Sequence, residues 1–192
     1  AHIAAMAGLG ERKHELQPGI TLSDHIADVI ATIDERGMKD IILVGHSYGG
    51  MVITGVAQQR AAQIAAMVYV DAFLPRDGES LWDIADEPSR KHYIDAQRDA
   101  PGLVAPFPGS PPTLGRHPLL TLTEPVKMAD QNASIKRKTY VYATRGAPTV
   151  FTKFYERVKA DNGWRVHSIN TGHGVMVDDP DGMAVLLLAE AR

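Results

Sequence analysis

Apolar residues fall into two patterns along the chain. Short, near-continuous runs recur at HIAAMA (2–7), IILVGH (41–46), MVYVDAF (67–73), TYVYAT (139–144) and RVHSI (165–169). Three of these are rich in Val, Ile and Tyr, and unbroken apolarity suits strands covered on both faces. Between most of the runs the spacing turns helical. In TLSDHIADVIATIDERG (21–37), Leu22, Ile26, Val29, Ile30 and Ile33 share one helix face, and Gly37 is placed to end the helix. YGGMVITGVAQQRAAQ follows the second run, VFTKFYERVKADNG the fourth, and PDGMAVLLLAEA ends the sequence. Strands alternating with helices predict the α/β class, with a mostly parallel sheet carrying helices on both faces.

Residues 75–138 interrupt that alternation. ESLWDIADEPSRKHYIDAQRDA can form helices, whereas residues 101–125 hold seven prolines, which argues against any regular element. A long irregular insertion in a compact domain is commonly a lid; a plain surface excursion is the competing reading. The expected division is therefore a core of residues 1–74 and 139–192 with a cap of residues 75–138.

Composition narrows the classes. At 192 residues and 44% hydrophobic, the chain can bury one sizeable core but not two enzymatic domains. The net charge of -3, with basic residues scattered, points to neither nucleic acid nor an anionic membrane as partner. There is no cysteine, which excludes disulfides and thiolate metal sites. Apolar runs such as AVLLLA are too short to span a bilayer, and no signal segment is visible. A cytoplasmic location is the expectation, although the sequence starts at Ala1 rather than at a Met.

The chemistry concentrates in DIILVGHSYGG (40–50). A strand entering G-x-S-x-G and then a helix is a nucleophile elbow. Gly45 and Gly49 are expected to relieve crowding two residues either side of Ser47, and Gly50 to let the helix approach the sheet. Ser47 would sit in a strained turn at a helix N-terminus, with the Tyr48 N–H able to stabilise an oxyanion. A serine hydroxyl needs a base, and the base an orienting acid. His173 in NTGHGVMVDDP follows the last predicted strand, with glycines on both sides; a solvated loop histidine is the alternative. His46 is expected to point to the other side of its strand and to pack. Asp71 ends the strand after the serine, and parallel sheets gather sites at strand carboxyl ends; an Asp capping the turn before FLPRDG is the competing reading. Asp178 and Asp179 precede Pro180 and suggest a helix N-cap.

The segments GLGERKH, DIILVGHSYGGMV, MVYVDAFLPRDGES, TYVYATR and TGHGVMV together resemble the α/β-hydrolase superfamily, in particular the branch of plant methyl esterases and hydroxynitrile lyases with its bacterial relatives. The resemblance implies Ser47 as nucleophile, His173 as base and the Tyr48 N–H in the oxyanion hole. It also implies further strands ahead of Ala1, whose loop would carry a His-Gly motif and a second oxyanion donor. Two positions depart from the branch. The plant enzymes keep the acid after the next-to-last strand, where this chain has Thr144, Arg145, Gly146, Ala147, Pro148 and Thr149; the next carboxylate, Glu156, falls inside a helix. An acid after the strand that follows the nucleophile, as in some lipases, fits Asp71. Hydroxynitrile lyases carry Lys directly after the catalytic His, and here that residue is Gly174.

The resulting expectation is a serine hydrolase of small, apolar esters or lactones, using Ser47, Asp71 and His173 without metal or organic cofactor. Phe73, Leu74, Trp82 and Met176 are candidate pocket residues, with ordinary core packing as the alternative. Carbon–carbon cleavage on the same residues and a low-turnover small-molecule receptor are competing functions. Dehalogenase and epoxide hydrolase chemistry is disfavoured, because the elbow presents Ser47 rather than a carboxylate. An exposed sheet edge would favour homo-oligomers.

Overall fold

The computed structural model describes residues 1–128 and 134–191. These group into two compact units, Ala1–Gly37 with Pro75–Lys127 and Met38–Leu74 with Met128–Arg192. The first 37 residues therefore group with the insertion and not with the sheet, which differs from the division drawn from sequence.

The second unit is built on four parallel strands, β1 (Ile41–Ser47), β2 (Ile64–Ala72), β5 (Arg137–Ala143) and β6 (Arg165–Ile169), ordered β1-β2-β5-β6. The central strands β2 and β5 are mostly buried, in keeping with the apolar runs at their centres. Val68, Val70, Val141 and Ala143 point to one face and pack with Val175 and with Met183 of α8 (Pro180–Glu190). The opposite face meets α2 (Gly49–Arg60), where Tyr69 and Thr54 hydroxyls lie 2.8 Å apart, and α6 (Thr152–Lys159), where Tyr142 stacks on Tyr155. Met51, Val56 and Ala57 of α2 are fully buried. Burying a side chain of Val or Met size contributes about 1.5–3 kcal/mol, so α2 is fixed against the sheet.

The first unit contains α1 (Leu22–Glu35). The Thr21 hydroxyl accepts from Asp24 N–H while the Thr21 N–H donates to the Asp24 carboxylate, a reciprocal cap that starts the helix. Leu22, Ile26, Val29, Ile30 and Ile33 are all buried. The insertion supplies α3 (Leu81–Ile84), α4 (Glu87–Ala96) and α5 (Leu120–Thr123).

Two expectations fail here. HIAAMA is not a strand: residues 2–6 have no regular structure and Ile3 is 96% exposed. That run has one β-branched residue among three alanines, a composition with little strand preference. The neighbouring chain is instead held by side chains, with Ala7 N–H donating to Asp28 (2.8 Å) and Arg12 donating to the same carboxylate (2.6 Å). Secondly, the proline-rich stretch does hold regular structure, a short antiparallel pair of β3 (Leu103–Val104) and β4 (His117–Pro118). A two-residue ladder needs few backbone donors, so Pro118 can close it.

A histidine pair joins α1 to β4. His25 Nε2–H donates to Ala7 O (2.9 Å), and its ring meets the edge of His117 at 6.0 Å. The Thr121 hydroxyl donates to Pro118 O (2.8 Å) and so accepts from His117 Nε2–H (2.7 Å). Among the described residues, no helix is long and apolar enough to cross a membrane.

Candidate active site

β1 runs into α2 through Ser47, whose φ of 54° lies in the left-handed region. Non-glycine residues rarely adopt it, and where they do the surroundings must enforce it. The enforcement is visible at two glycines. A Cβ on Gly45 would lie 2.5 Å from Gly49 O, and one on Gly50 only 2.0 Å from Phe73 O. At Gly49 it would meet nothing within 4 Å. The glycines that the turn requires are therefore Gly45 and Gly50, a correction to the symmetric Gly45/Gly49 expectation. The reason is direction: Gly49 faces open space, whereas Gly50 faces the backbone after β2. Phe73 N–H donates to Ser47 O at 3.1 Å and ties the elbow to that segment. Tyr48 is the N-cap of α2, so its N–H stands at the positive end of the helix.

β2 pairs with β1 so that Ser47 lies beside Ala72, one residue past Asp71. Asp71 is also left-handed, with φ 40°, and is 1% exposed. A carboxylate buried to that degree is tolerable only when both oxygens find donors. One accepts the Ala143 N–H at 3.2 Å; the other accepts from His173 Nδ1 at 2.7 Å. Because Nδ1 donates to the carboxylate, Nε2 of a neutral His173 is left with its lone pair, the form required of a base.

His173 is held on several sides. The Phe151 ring stacks on it at 4.8 Å and 7°. His46 does not point away as expected: its ring centroid is 4.4 Å from that of His173, and its Nε2–H donates to His173 O at 2.7 Å. Burial, together with the neighbouring imidazole, pushes His46 down to about 4, so it remains a neutral donor at neutral pH. Sequence periodicity did not suggest this because the partner is 127 residues away.

The remaining candidates are dispersed. Phe73 and Leu74 are 5% and 6% exposed; Phe73 packs edge-on against Phe151 and Phe154, so it buttresses the ring behind His173 rather than lining an open pocket. Leu74 offers its carbonyl to Arg157. Met176 is 41% exposed on α7 (Val175–Asp178). Trp82 belongs to the first unit, where it lines a cavity of about 410 Å³ with Tyr93 and Leu119. Of the aspartates ahead of Pro180, Asp179 caps α8 by accepting from Gly182 N–H (2.9 Å), while Asp178 turns back to the His173 loop. The loop after β5, which offers no carboxylate, contributes Arg145 to Asp178 at 3.0 Å. Among the described residues, no three His, Asp or Glu side chains converge as a metal-ligand set.

Comparison with known proteins agrees with this architecture. Residues 6–186 match the model of the alpha/beta hydrolase family. The chain is 34% identical over 203 residues to a carbendazim hydrolyzing esterase of Nocardioides sp. (strain SG-4G), covering 95% of this chain and 84% of that protein. Among solved structures, an extracellular alpha/beta-hydrolase from a Paenibacillus species, described as sharing structural and functional homology with tobacco salicylic acid binding protein 2, superposes with a TM-score of 0.80 at 24% identity, covering 97% of this chain and 84% of that one. A pyrethroid hydrolase from Sphingobium faniae JZ-2 does so with a TM-score of 0.66 at 21% identity, covering 90% and 78%. These two likenesses establish the fold. The family match and the esterase relative go further: the chain is a hydrolase and belongs to the alpha/beta hydrolase family.

Proposed function

We propose that this protein is a serine esterase acting on small, apolar carboxylic esters through an acyl-enzyme, with Ser47 as nucleophile, His173 as base and Asp71 as orienting acid. The observation that carries the reading is the 2.7 Å contact of His173 Nδ1 with buried Asp71, beside a strained Ser47 on the adjoining strand. Ser47 Oγ attacks the ester carbonyl carbon while its proton passes to His173 Nε2. The tetrahedral oxyanion faces the Tyr48 N–H, a donor worth about 10²–10³ in rate in comparable sites. As the carbon–oxygen bond to the alcohol breaks, His173 returns the proton to the leaving oxygen. A water, deprotonated by the same Nε2, then releases the acid and restores Ser47. Throughout, Asp71 fixes the tautomer and stabilises the imidazolium without itself taking the proton.

The relatives' names supply a first substrate panel: carbendazim and a pyrethroid ester beside simple p-nitrophenyl esters. The deciding experiment combines turnover with labelling by a fluorophosphonate, read by intact mass. One adduct on Ser47 is expected, with adduct and hydrolysis both lost in a folded Ser47→Ala protein. Ester hydrolysis that survives Ser47→Ala would overturn the proposal.

A further inference from the structure

The mechanism above leaves Arg145 and Asp178 unused, yet both are tied to the loop that carries His173. Asp178 Oδ2 accepts the Gly172 N–H at 2.7 Å and an Arg145 Nη1–H at 3.0 Å. Arg145 also donates from Nη2 to Asn170 O (3.0 Å), and its own backbone N–H donates to Thr171 O (2.9 Å). One cation and one carboxylate thus hold Asn170, Thr171 and Gly172, the three residues that lead into His173. The loop needs such ties. Gly172 and Gly174 flank the histidine and give its backbone little stiffness of its own. Asp178 can supply them because α7 is anchored by Val175, which is fully buried. The Gly172 bond to a carboxylate is charge-assisted and directional.

We propose that Asp178 and Arg145 act as a positioning pair, fixing the His173 loop so that Nδ1 meets Asp71 and Nε2 is held for the reacting proton. This inference rests on the serine esterase reading of the site. In this chain the loop after β5 holds the base-bearing loop instead of supplying an acid to it. Arg145 and Asp178 side chains are 61% and 31% exposed, and ion pairs of that exposure add little to global stability. Their loss should therefore register in catalysis before it registers in folding. Misplacement of a reacting group by roughly 1 Å can cost about 10²-fold.

The test uses the full chain as wild type, Asp178→Ala, Asp178→Asn, Arg145→Met and the Asp178→Ala/Arg145→Met double variant. Three quantities are read: kcat and KM on p-nitrophenyl acetate, the rate constant for fluorophosphonate labelling of Ser47, and Tm. Asp178→Ala should lower kcat and the labelling rate together by about 10–10²-fold, with KM changed less than about twofold. Asp178→Asn keeps an oxygen for the Gly172 N–H and should recover most of that loss. Arg145→Met should lose a smaller part, and add nothing in the Asp178→Ala background. Unchanged kcat and labelling in Asp178→Ala, while the wild type labels at Ser47, would overturn the positioning role and leave the esterase reading intact. Absence of labelling in the wild type would bring down both. If Asp178→Ala does not fold, Arg145→Met decides: wild-type kcat in that variant refutes the pair.

Discussion

Gly49 and Gly50 are consecutive glycines at the start of α2, yet replacing each by alanine should have opposite effects. A Cβ at Gly50 would lie 2.0 Å from Phe73 O and 3.1 Å from the Ala72 Cβ, whereas at Gly49 it would touch nothing within 4 Å. Heavy atoms settle at about 3.5–4 Å, so in Gly50→Ala the helix start must withdraw from the β2 exit by on the order of 1 Å. The obstacle is a backbone carbonyl, which cannot rotate away as a side chain would. Overpacking of this kind costs about 1–3 kcal/mol, and the better helix propensity of alanine offsets at most about 1 kcal/mol of it. A chain of this length loses about 2–4 °C of Tm per kcal/mol. Gly50→Ala should thus melt a few degrees to about 10 °C lower, and Gly49→Ala at the wild-type value or up to about 4 °C higher. Activity should divide in the same way, because the displaced segment carries Ser47 and the Tyr48 N–H. Thermal melts and fluorophosphonate labelling rates of the two variants provide the assay. Equal Tm values for both, or a Gly49→Ala protein as destabilised as Gly50→Ala, would refute the steric argument.

Two further outcomes follow from the site and from three histidines that the fold holds neutral. Asp71→Asn keeps the shape but permits the wrong His173 tautomer, so kcat should fall by about 10³–10⁴ with ester binding little altered; a kinetic titration in which more than about a tenth of wild-type kcat survives would assign the orienting role elsewhere. His25, His46 and His117 are held neutral in the fold, chiefly by burial, with His46 pushed down to about 4 and His117 to about 3. The unfolded chain protonates them near 6.5, so stability should be independent of these groups above that pH. Below it stability should fall by up to about 1.4 kcal/mol per pH unit for each ring, until the folded form also takes the proton. Urea unfolding between about pH 7 and pH 5 measures this, and a midpoint that holds steady over the range would contradict it.

The parts of this molecule that could be anticipated from sequence are those encoded by local repetition. Four of five apolar runs are strands; β2 and β5 are buried as near-continuous Val, Ile and Tyr predict, whereas no residue of β6 is buried, because RVHSI sets Arg165, His167 and Ser168 among its two aliphatic residues. The fifth, HIAAMA, had the apolarity but not the residue types. Asp71 and His173 could be brought together on paper because parallel strands deliver their carboxyl ends to a common edge, a rule of topology and not of contact. What stayed hidden is the set of tertiary hydrogen bonds that connect distant residues through main-chain groups. His46 reaches a carbonyl 127 residues on, and Arg145 reaches the carbonyl of Asn170 across 25. Neither has a periodicity, and a main-chain acceptor leaves no mark on the sequence at its own position. The same limit explains the glycines. A G-x-S-x-G pattern records that small residues are tolerated, but which one is required depends on what lies opposite, and here Phe73 O stands against Gly50. Local strain at Ser47 and Asp71 is thus sustained by contacts from β2, the β5 exit and the histidine loop together. A substitution that loosens any one of them should weaken catalysis before it unfolds the chain, because the strained residues sit at strand ends while the buried sheet continues beneath them.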